Sequence, residues 1–319
     1  MSVRPRIALT RRWPEAVEQR LAATYDVTLN EDDRPMDTAA LAQAMRDHDA
    51  LCPTVTDRVT RDVLLTQGRR ARIVANYGAG FEHIDLTAAR QAGLPVTNTP
   101  DVLTEATADI AMTLMLMAMR RAGEGERELR SGTWTGWRPT HLVGQSLDGK
   151  LLGLVGFGRI ARAVAQRAQA FGMRIAYHSR RPAHDMPADA YHADLGALAE
   201  QADILSLHAP GGAETRHMVD AALLARMPAH AVLLNTGRGS LMDEAALAQA
   251  LGERRIAAAG LDVYEREPQV HPGLIALPNV VLLPHLGSAT IEARTAMGMK
   301  VADNLDRFFA GEPLLDPVA

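Results

Sequence analysis

Short apolar runs, rich in leucine or β-branched residues, alternate along the chain with longer stretches in which apolar positions recur every three or four residues. Runs of the first kind are typical of buried strands, and stretches of the second kind are typical of helices packed on one face. Their alternation predicts parallel α/β structure. Up to residue 100 the strand candidates are RIALT, DVTL, DALCP, RIVANYG and LPVTNTP, and helices are predicted over 14–24 and 38–48.

A second α/β series begins at Lys150, with strand candidates LLGLV, RIAY, ILSLH, AVLLN, AAGLDV and VVLLP. This alternation fits a doubly wound, Rossmann-type dinucleotide domain. The pattern of residues 100–130, rich in Met, Ala and Leu, predicts one long helix. The pattern of residues 288–309 predicts a final helix, which we expect to return to the first domain. We therefore expect a discontinuous substrate domain, 1–99 and 288–319, and a dinucleotide-binding domain, 100–287.

Composition narrows the possible partners. A chain of 319 residues with 47% hydrophobic and 23% charged residues is ordinary globular material for two domains. A formal net charge of −4 gives no general attraction to nucleic acid or to an anionic membrane, and we expect neither as a partner. The single cysteine, Cys52, excludes an intrachain disulfide and favours a reducing, cytoplasmic location. No metal is expected.

The segment LLGLVGFGRIARAVAQRAQAFG carries a glycine pattern between a strand and a helix. Gly156 allows a tight turn, and Gly158 lets the backbone approach a pyrophosphate, while Ala161 replaces the third glycine. Arg159 and Ile160 open the helix, whose first N–H groups favour an anion. A structural glycine turn is the alternative to a dinucleotide site. The inward positions of the helix are predicted to be Ile160, Val164, Ala168 and Phe171.

The segment YHSRRP follows the second strand of this unit, where NAD-binding proteins place an acidic residue on the adenosine ribose. Here the chain has Ser179, Arg180 and Arg181 instead. A hydroxyl and two guanidinium groups suit the 2′-phosphate of NADP(H). The residues predict a preference for NADP(H) over NAD(H), which stays possible, and the alternative is a solvated arginine pair.

Three further segments follow predicted strands, so each belongs at the carboxyl edge of the sheet, where ligands bind in open α/β folds. They are LLNTGRGSLMDE with Arg238, AGLDVYEREP with Glu267, and LLPHLGSAT with His285. Taken singly, each has a simpler explanation. Arg238 could be a surface ion-pair partner, Glu267 a turn residue before Pro268, and His285 a loop cap. Taken together, they favour a catalytic site.

With these motifs in view, the chain resembles the D-isomer-specific 2-hydroxyacid dehydrogenases and, among them, the glyoxylate/hydroxypyruvate reductases. The segments NYGAGFEHIDL, NTPDVLTEATAD, GLVGFGRIA, LHAP, NTGRGSLMDEAAL, GLDVYEREP and LPHLGSAT occur in the family's order. The resemblance implies a 2-oxoacid reductase with a Rossmann nucleotide domain and a smaller flavodoxin-like α/β substrate domain. It also implies a homodimer formed largely through the nucleotide domain.

The chemistry of the three residues agrees with that implication. Reduction of a 2-oxo acid needs a hydride on the carbonyl carbon, a proton on its oxygen and an anchor for the carboxylate. Arg238 can hold the carboxylate and polarise the carbonyl. His285 is the natural acid because histidine changes protonation state near neutral pH. Glu267 would pair with the imidazole and favour its charged form.

The resemblance implies further site residues. Gly78, Ala79 and Gly80 match the loop whose backbone amides hold the substrate carboxylate, although a plain strand-to-helix turn would also use glycine. Trp137 matches a tryptophan that reaches the neighbouring subunit's active site and limits substrate size, with interface packing as the alternative. The family's cofactor contacts match Thr104, Pro210, Thr236 and Asp262, the last near the nicotinamide amide.

Two other classes share the fold. Formate dehydrogenases of this family keep the arginine and the histidine but typically replace the glutamate, so Glu267 argues against that activity. Dinucleotide-sensing co-repressors bind peptides with the same fold but typically carry extra terminal segments. Residues 53–56 carry no charge, which argues against a phosphorylated substrate. The chain also has no room for the regulatory domain of many phosphoglycerate dehydrogenases.

Overall fold

A computed structural model describes residues 4–319. The chain forms two compact units, one running up to Leu103 and including Ala289–Ala319, the other comprising Thr104–Ser288. Within residues 4–319, none of the helices combines the length and the apolar character needed to cross a bilayer.

Strands and helices alternate along the chain. The strands are β1 Arg6–Leu9, β2 Asp26–Thr28, β3 Ala50–Cys52, β4 Ile73–Ala75, β5 Val96–Thr97, β6 Leu151–Val155, β7 Arg174–His178, β8 Tyr191–His192, β9 Ile204–Leu207, β10 Val232–Asn235, β11 Ala258–Leu261 and β12 Val280–Leu282. The helices are α1 Glu15–Thr24, α2 Thr38–Asp47, α3 Arg61–Leu64, α4 Leu86–Gln91, α5 Thr104–Met119, α6 Ala122–Arg130, α7 Arg159–Ala170, α8 Leu195–Gln201, α9 Ala221–Arg226, α10 Glu244–Gly252, α11 Pro272–Ile275 and α12 Ile291–Ala310.

The first unit is built on a parallel sheet of order β2-β1-β3-β4-β5, the flavodoxin-like order. Successive strand residues point to opposite faces, so each face has its own core. Leu9, Cys52 and Ile73 pack with α1 and α12 on one face. Leu51 and Val74 pack with α2, α3 and α4 on the other. Cys52 is therefore a small core residue.

The second unit is built on a seven-stranded parallel sheet of order β12-β11-β10-β9-β6-β7-β8. Its centre follows the doubly wound dinucleotide-binding order, with β6 between β7 and β9. One face packs against α5 and α7, and the other packs against α8, α9 and α10. The predicted fold class, a Rossmann domain with a smaller flavodoxin-like α/β domain, is confirmed.

Three details differ from the sequence prediction. The short strand Tyr191–His192 was not predicted, because two residues carry no visible period. Phe171 is wrong as an inward position, since α7 ends at Ala170 and the Phe171 side chain is 46% exposed. The long helix predicted over 100–130 is two helices, α5 and α6.

The break between α5 and α6 has a local cause. Arg121 adopts a left-handed conformation with φ of 55°, which an α-helix cannot contain. The end of α5 is also covered by a later segment: Gln145 donates its N–H to the Met119 carbonyl at 2.9 Å. A Cβ on Gly144 would lie 2.3 Å from that same carbonyl oxygen, so the close approach requires glycine.

The contact of α12 with α1 generates a stability prediction. A Cβ built on Gly298 would lie 2.5 Å from Val17 Cγ1, whereas one on Gly252, at the end of α10, would meet nothing within 4 Å. Alanine adds about 0.5–1 kcal/mol of helix preference over glycine, but overpacking typically costs about 1–3 kcal/mol. We expect Gly298→Ala to lower the thermal unfolding midpoint and Gly252→Ala to keep or raise it. Equal midpoints for the two variants would contradict the packing argument.

Candidate active site

The centre of the candidate site is a contact between a histidine and a carboxylate. His285 follows β12, and its Nδ1 lies 2.8 Å from Glu267 Oε2. Tyr264 donates its backbone N–H to Glu267 Oε1 at 3.0 Å. Burial alone would raise the pKa of Glu267, but the hydrogen bond and charge of His285 and the Tyr264 N–H bring this pKa below its ordinary value. The carboxylate therefore stays ionised, holds Nδ1–H and leaves Nε2 of His285 for another partner.

Asp262 fixes the backbone that carries His285. The Asp262 side chain is 1% exposed, and its two oxygens accept the N–H groups of Leu286 at 2.6 Å and Gly287 at 2.8 Å. Its carbonyl accepts the His285 N–H at 2.9 Å. Burial raises the pKa of Asp262 despite these hydrogen bonds. His285 itself has φ of 55°, and the Asp262 contacts hold it in this uncommon conformation.

Arg238 follows β10, and contacts of the backbone at Arg238 and Gly239 hold it in position. The Asn235 side chain donates to the Arg238 carbonyl at 2.8 Å. The next residue, Gly239, packs so closely on the chain before Glu267 that a Cβ there would lie 1.9 Å from the Tyr264 carbonyl carbon. The charge of Arg238 contributes to the lowered pKa of Glu267. The structure thus brings Arg238, Glu267 and His285 to one place.

The chain between Tyr264 and Glu267 is held by groups that the sequence did not suggest. Glu265 donates its N–H to Glu244 Oε1 at 2.7 Å, and Glu244 is only 7% exposed. The Glu265 carboxylate accepts from Arg216 at 2.5 Å and lies 2.9 Å from His217 Nε2. The second glycine of NTGRGS was the one available signal of this packing, because a glycine between polar residues suggests close backbone approach.

The glycine turn after β6 has the geometry that a dinucleotide requires. Gly156 has φ of 84°, and a Cβ there would lie 2.7 Å from the Ala209 backbone nitrogen. Gly158 precedes the first turn of α7, and a Cβ there would meet nothing within 4 Å. The space beside Gly158 and the N–H groups that open α7 at Arg159 and Ile160 fit a pyrophosphate.

The two arginines after β7 lie in a structured turn. Tyr191 donates its hydroxyl to the Ser179 carbonyl at 3.2 Å, and Ser179 Oγ donates to the Arg181 carbonyl at 2.6 Å. The Tyr177 hydroxyl accepts the Ala183 N–H at 2.8 Å. Both arginine side chains are exposed, and neither has an ion-pair partner within residues 4–319. In the described turn after β7, residues 179–184 include no carboxylate, whereas NAD-binding proteins place one there for the ribose.

The other predicted cofactor residues lie at strand ends or at a helix start. Thr104 is the first residue of α5, and Pro210 is exposed after β9. Thr236 follows β10 and is 7% exposed, with its hydroxyl 3.4 Å from His208 Nδ1. Burial lowers the pKa of His208 to about 4, so this ring is neutral. His208, within LHAP, was not predicted as a site residue.

The predicted substrate loop belongs to the first unit. Gly78, Ala79 and Gly80 follow β4 at the carboxyl edge of that sheet. Two asparagines, Asn76 and Asn98, donate their side-chain amides to the carbonyl groups of this loop. Neither asparagine was predicted as a site residue.

Trp137 takes no part in the contacts described above for Arg238, Glu267 and His285. It lies in an irregular segment after α6, and its side chain is 81% exposed. Three more large apolar side chains of this region are exposed: Leu129, Trp134 and Val143.

Comparison with known proteins identifies the family. Residues 112–287 match the family model for the D-isomer specific 2-hydroxyacid dehydrogenase, NAD binding domain. The chain is 43% identical over 316 residues to the glyoxylate reductase of Thermococcus litoralis, covering 97% of this chain and 95% of the relative. It is 45% identical over 318 residues to the glyoxylate reductase of Aeropyrum pernix, covering 97% of this chain and 94% of the relative.

A solved structure gives the same result over both units. The NADPH-dependent glyoxylate/hydroxypyruvate reductase of Sinorhizobium meliloti, in complex with NADP and malonate, superimposes with a TM-score of 0.89 at 40% identity, covering 99% of this chain and 97% of that one. The predicted family is confirmed, and the enzyme uses a nicotinamide dinucleotide to act on CH–OH groups. The chain belongs to the D-isomer-specific 2-hydroxyacid dehydrogenases, in the glyoxylate reductase subgroup.

Proposed function

We propose that this enzyme is an NADPH-preferring reductase of glyoxylate, hydroxypyruvate or a closely related 2-oxo acid. The observation that carries the proposal is the imidazole of His285 held through Nδ1 on the ionised Glu267, beside Arg238. That arrangement suits proton donation to a carbonyl next to a carboxylate. The glyoxylate reductases that match 97% of the chain support the substrate class.

The residues divide the work of reduction. A bound reduced nicotinamide supplies the hydride. His285 donates a proton from Nε2 to the carbonyl oxygen, because Nδ1 is engaged by Glu267. Glu267 fixes the ring orientation and favours the charged imidazole before the proton is transferred. Arg238 anchors the substrate carboxylate and polarises the carbonyl.

The cofactor proposal assigns the pyrophosphate to the turn at Gly156 and Gly158 and to the first N–H groups of α7, at Arg159 and Ile160. Ser179, Arg180 and Arg181 would bind the 2′-phosphate of NADP(H), and NAD(H) would bind more weakly. Further cofactor contacts are assigned to Thr104, Pro210, Thr236 and Asp262. The two oxygens of Asp262 already accept one backbone N–H group each.

The substrate domain is proposed to be residues 1–99 with 288–319, and the dinucleotide-binding domain residues 100–287. In the substrate domain the backbone of Gly78, Ala79 and Gly80 would bind the carboxylate. The neighbouring Val55 is apolar and 42% exposed, and its Cγ1 would lie 3.1 Å from a Cβ on Gly78. An apolar neighbour to the carboxylate suits a small, unphosphorylated 2-oxo acid.

The enzyme is further proposed to be a homodimer. Exposed large apolar side chains concentrated in one region mark a contact surface in a soluble protein. Here they are Leu129, Trp134, Trp137 and Val143. A second copy of the chain would cover them, and Trp137 would then enter the partner's active site and restrict substrate size.

Removal of the proposed general acid should slow reduction of the substrate and leave binding of the cofactor unchanged. We expect His285→Ala to lower kcat for glyoxylate about 10²- to 10⁴-fold while the Kd for NADPH stays unchanged. We expect Glu267→Gln to lower kcat less than His285→Ala does. The lowered pKa of Glu267 keeps it ionised through the neutral range, so this variant removes a negative charge that favours the charged imidazole.

Another histidine–carboxylate pair supplies the control for this experiment. His230 Nε2 lies 2.8 Å from Asp203 Oδ1, and its side chain is half exposed. His230→Ala should leave kcat unchanged. An undiminished kcat in His285→Ala would show that another group donates the proton.

Cofactor preference can be measured together with the activity. Initial rates of NADPH and NADH oxidation with glyoxylate, hydroxypyruvate and pyruvate should be highest with NADPH on one of the first two acids. Loss of the charge-assisted hydrogen bonds in the double variant Arg180→Ala, Arg181→Ala should raise KM for NADPH about 10- to 100-fold and leave KM for NADH nearly unchanged. Arg174→Ala, at the opposite end of β7, removes one exposed positive charge as the control.

Two outcomes would contradict the cofactor proposal. Equal loss of NADPH and NADH in the double variant would show that the arginines do not distinguish the 2′-phosphate. Absence of oxidation with every acid in the wild type would exclude this substrate class.

The proposed role of Trp137 predicts a change in substrate size. Trp137→Ala should raise kcat/KM for phenylpyruvate relative to glyoxylate, because the indole no longer restricts the partner's site. Trp134→Ala, in the same segment and 49% exposed, should leave that ratio unchanged. Sedimentation should show a dimer for the wild type and for both variants. A monomeric wild type would exclude the proposal.

A further inference from the structure

Three consecutive carbonyl groups in the loop after β4 are held by the amides of two buried asparagines. Asn76 Nδ2 donates to the Gly78 carbonyl at 3.0 Å and to the Gly80 carbonyl at 2.9 Å. The Gly78 carbonyl also accepts the Thr99 N–H at 3.0 Å. Asn98 Nδ2 donates to the Ala79 carbonyl at 2.7 Å. The asparagines follow the adjacent strands β4 and β5, so the sheet itself sets their positions.

This arrangement determines where the loop's N–H groups point. In a trans peptide the C=O and N–H point in opposite directions. Each carbonyl drawn toward an asparagine therefore turns the N–H of the next residue away from it, at Ala79, Gly80 and Phe81. The N–H groups of Ala79 and Phe81 both turn away from Asn76, and N–H groups turned the same way form an anion-binding concavity.

Asn76 is itself fixed in one orientation. Its side chain is fully buried, and its Oδ1 lies 3.0 Å from His83 Nε2. The amide oxygen therefore faces His83, and the amide nitrogen faces the loop. Its backbone N–H donates to the Thr97 carbonyl at 3.0 Å, which ties the residue to β5.

Asn98 is anchored from the other side. Its backbone N–H donates to the Asp316 carbonyl at 3.2 Å, in the C-terminal segment. That segment pairs with β5, since Val318 donates to the Val96 carbonyl at 2.8 Å and Val96 donates to the Ala319 carbonyl at 3.1 Å. The donors of both asparagines thus sit on rigid backbone.

We propose that Asn76, assisted by Asn98, is a positioning residue for the substrate carboxylate. The side-chain amide of Asn76 holds the Gly78 and Gly80 carbonyls, and that of Asn98 holds the Ala79 carbonyl, so that the loop's N–H groups face the anion. The proposal rests on the proposed function, since it assigns the carboxylate to this loop. Asn76 acts through the backbone and does not touch the substrate.

The test measures ligand binding separately from turnover. Oxamate, an unreactive analogue of a 2-oxo acid, is titrated by calorimetry into the wild type and Asn76→Ala, each saturated with NADPH. Loss of the two hydrogen bonds should raise the Kd for oxamate about 10-fold or more. The KM for glyoxylate should rise similarly, with a smaller change in kcat and none in the Kd for NADPH.

An isosteric variant separates hydrogen bonding from packing. Asn76→Asp keeps the side-chain shape but replaces the amide donor with a second oxygen that repels the loop carbonyls. If Asn76 acts as a hydrogen-bond donor, the Asn76→Asp variant should bind oxamate as weakly as the Asn76→Ala variant, or more weakly. Recovery of wild-type affinity in Asn76→Asp would overturn the proposal.

Two more variants control for folding. Asn279 is 7% exposed in the other unit and donates to the Ala257 carbonyl at 2.9 Å, so Asn279→Ala removes a comparable buried amide and should leave the Kd for oxamate unchanged. Should the Asn76 variants fail to fold, Asn98→Ala removes the single donor to Ala79 and should weaken oxamate severalfold.

The outcomes distinguish the two proposals. Unchanged oxamate affinity in Asn76→Ala or, failing that variant, in Asn98→Ala overturns the positioning role, and so does a wild type that does not bind oxamate. The wild type and the variants could bind oxamate with the predicted order of affinities while the wild type turns over no 2-oxo acid. That result would support the positioning role and reject the proposed reaction.

Discussion

Parallel pairing of neighbouring strands governs where the chemistry of this enzyme can lie. Every ladder between the named strands of both sheets is parallel. The carboxyl ends of all strands in one sheet therefore lie at one edge, and the next strand begins only after a return across the sheet. The glycine turn, the arginine turn and the segments with Arg238, Glu267 and His285 lie at one edge although more than a hundred residues separate the first from the last.

Contacts with the backbone set the geometry of the candidate site in the second unit. Gly239 lets the chain after Arg238 lie against the peptide after Tyr264, and the buried Asp262 holds the peptides that follow His285. The two carboxyl groups near His285, those of Asp262 and Glu267, differ in the direction of their pKa shifts. Burial raises the pKa of Asp262, whereas in Glu267 the charged and hydrogen-bonded partners outweigh burial and lower it. One acid serves the backbone, and the other serves the imidazole.

The sequence predicted the fold, and it suggested candidate catalytic side chains, but it did not suggest the groups that hold those side chains in place. Strands such as Leu151–Val155 are visible because burial on both faces requires continuous apolar runs. The strand Tyr191–His192 and the break at Arg121 depend on tertiary contacts that leave no periodic pattern. Asn76 and Glu244 look like ordinary polar residues of a strand end and a helix start. Only the fold shows that both are buried on backbone groups.

The proposed preference for NADP(H) rests on a local group of residues and not on the total charge of the chain. A net charge of −4 cannot favour the more anionic dinucleotide, so any discrimination must arise within hydrogen-bonding distance of the 2′-position. The turn after β7 is held by the hydroxyls of Tyr177 and Tyr191 on backbone groups. Its arginine side chains are therefore not required for its structure and stay exposed. Because the backbone is ordered by other groups, binding a phosphate there costs mainly the ordering of two side chains, which the charge-assisted hydrogen bonds can offset.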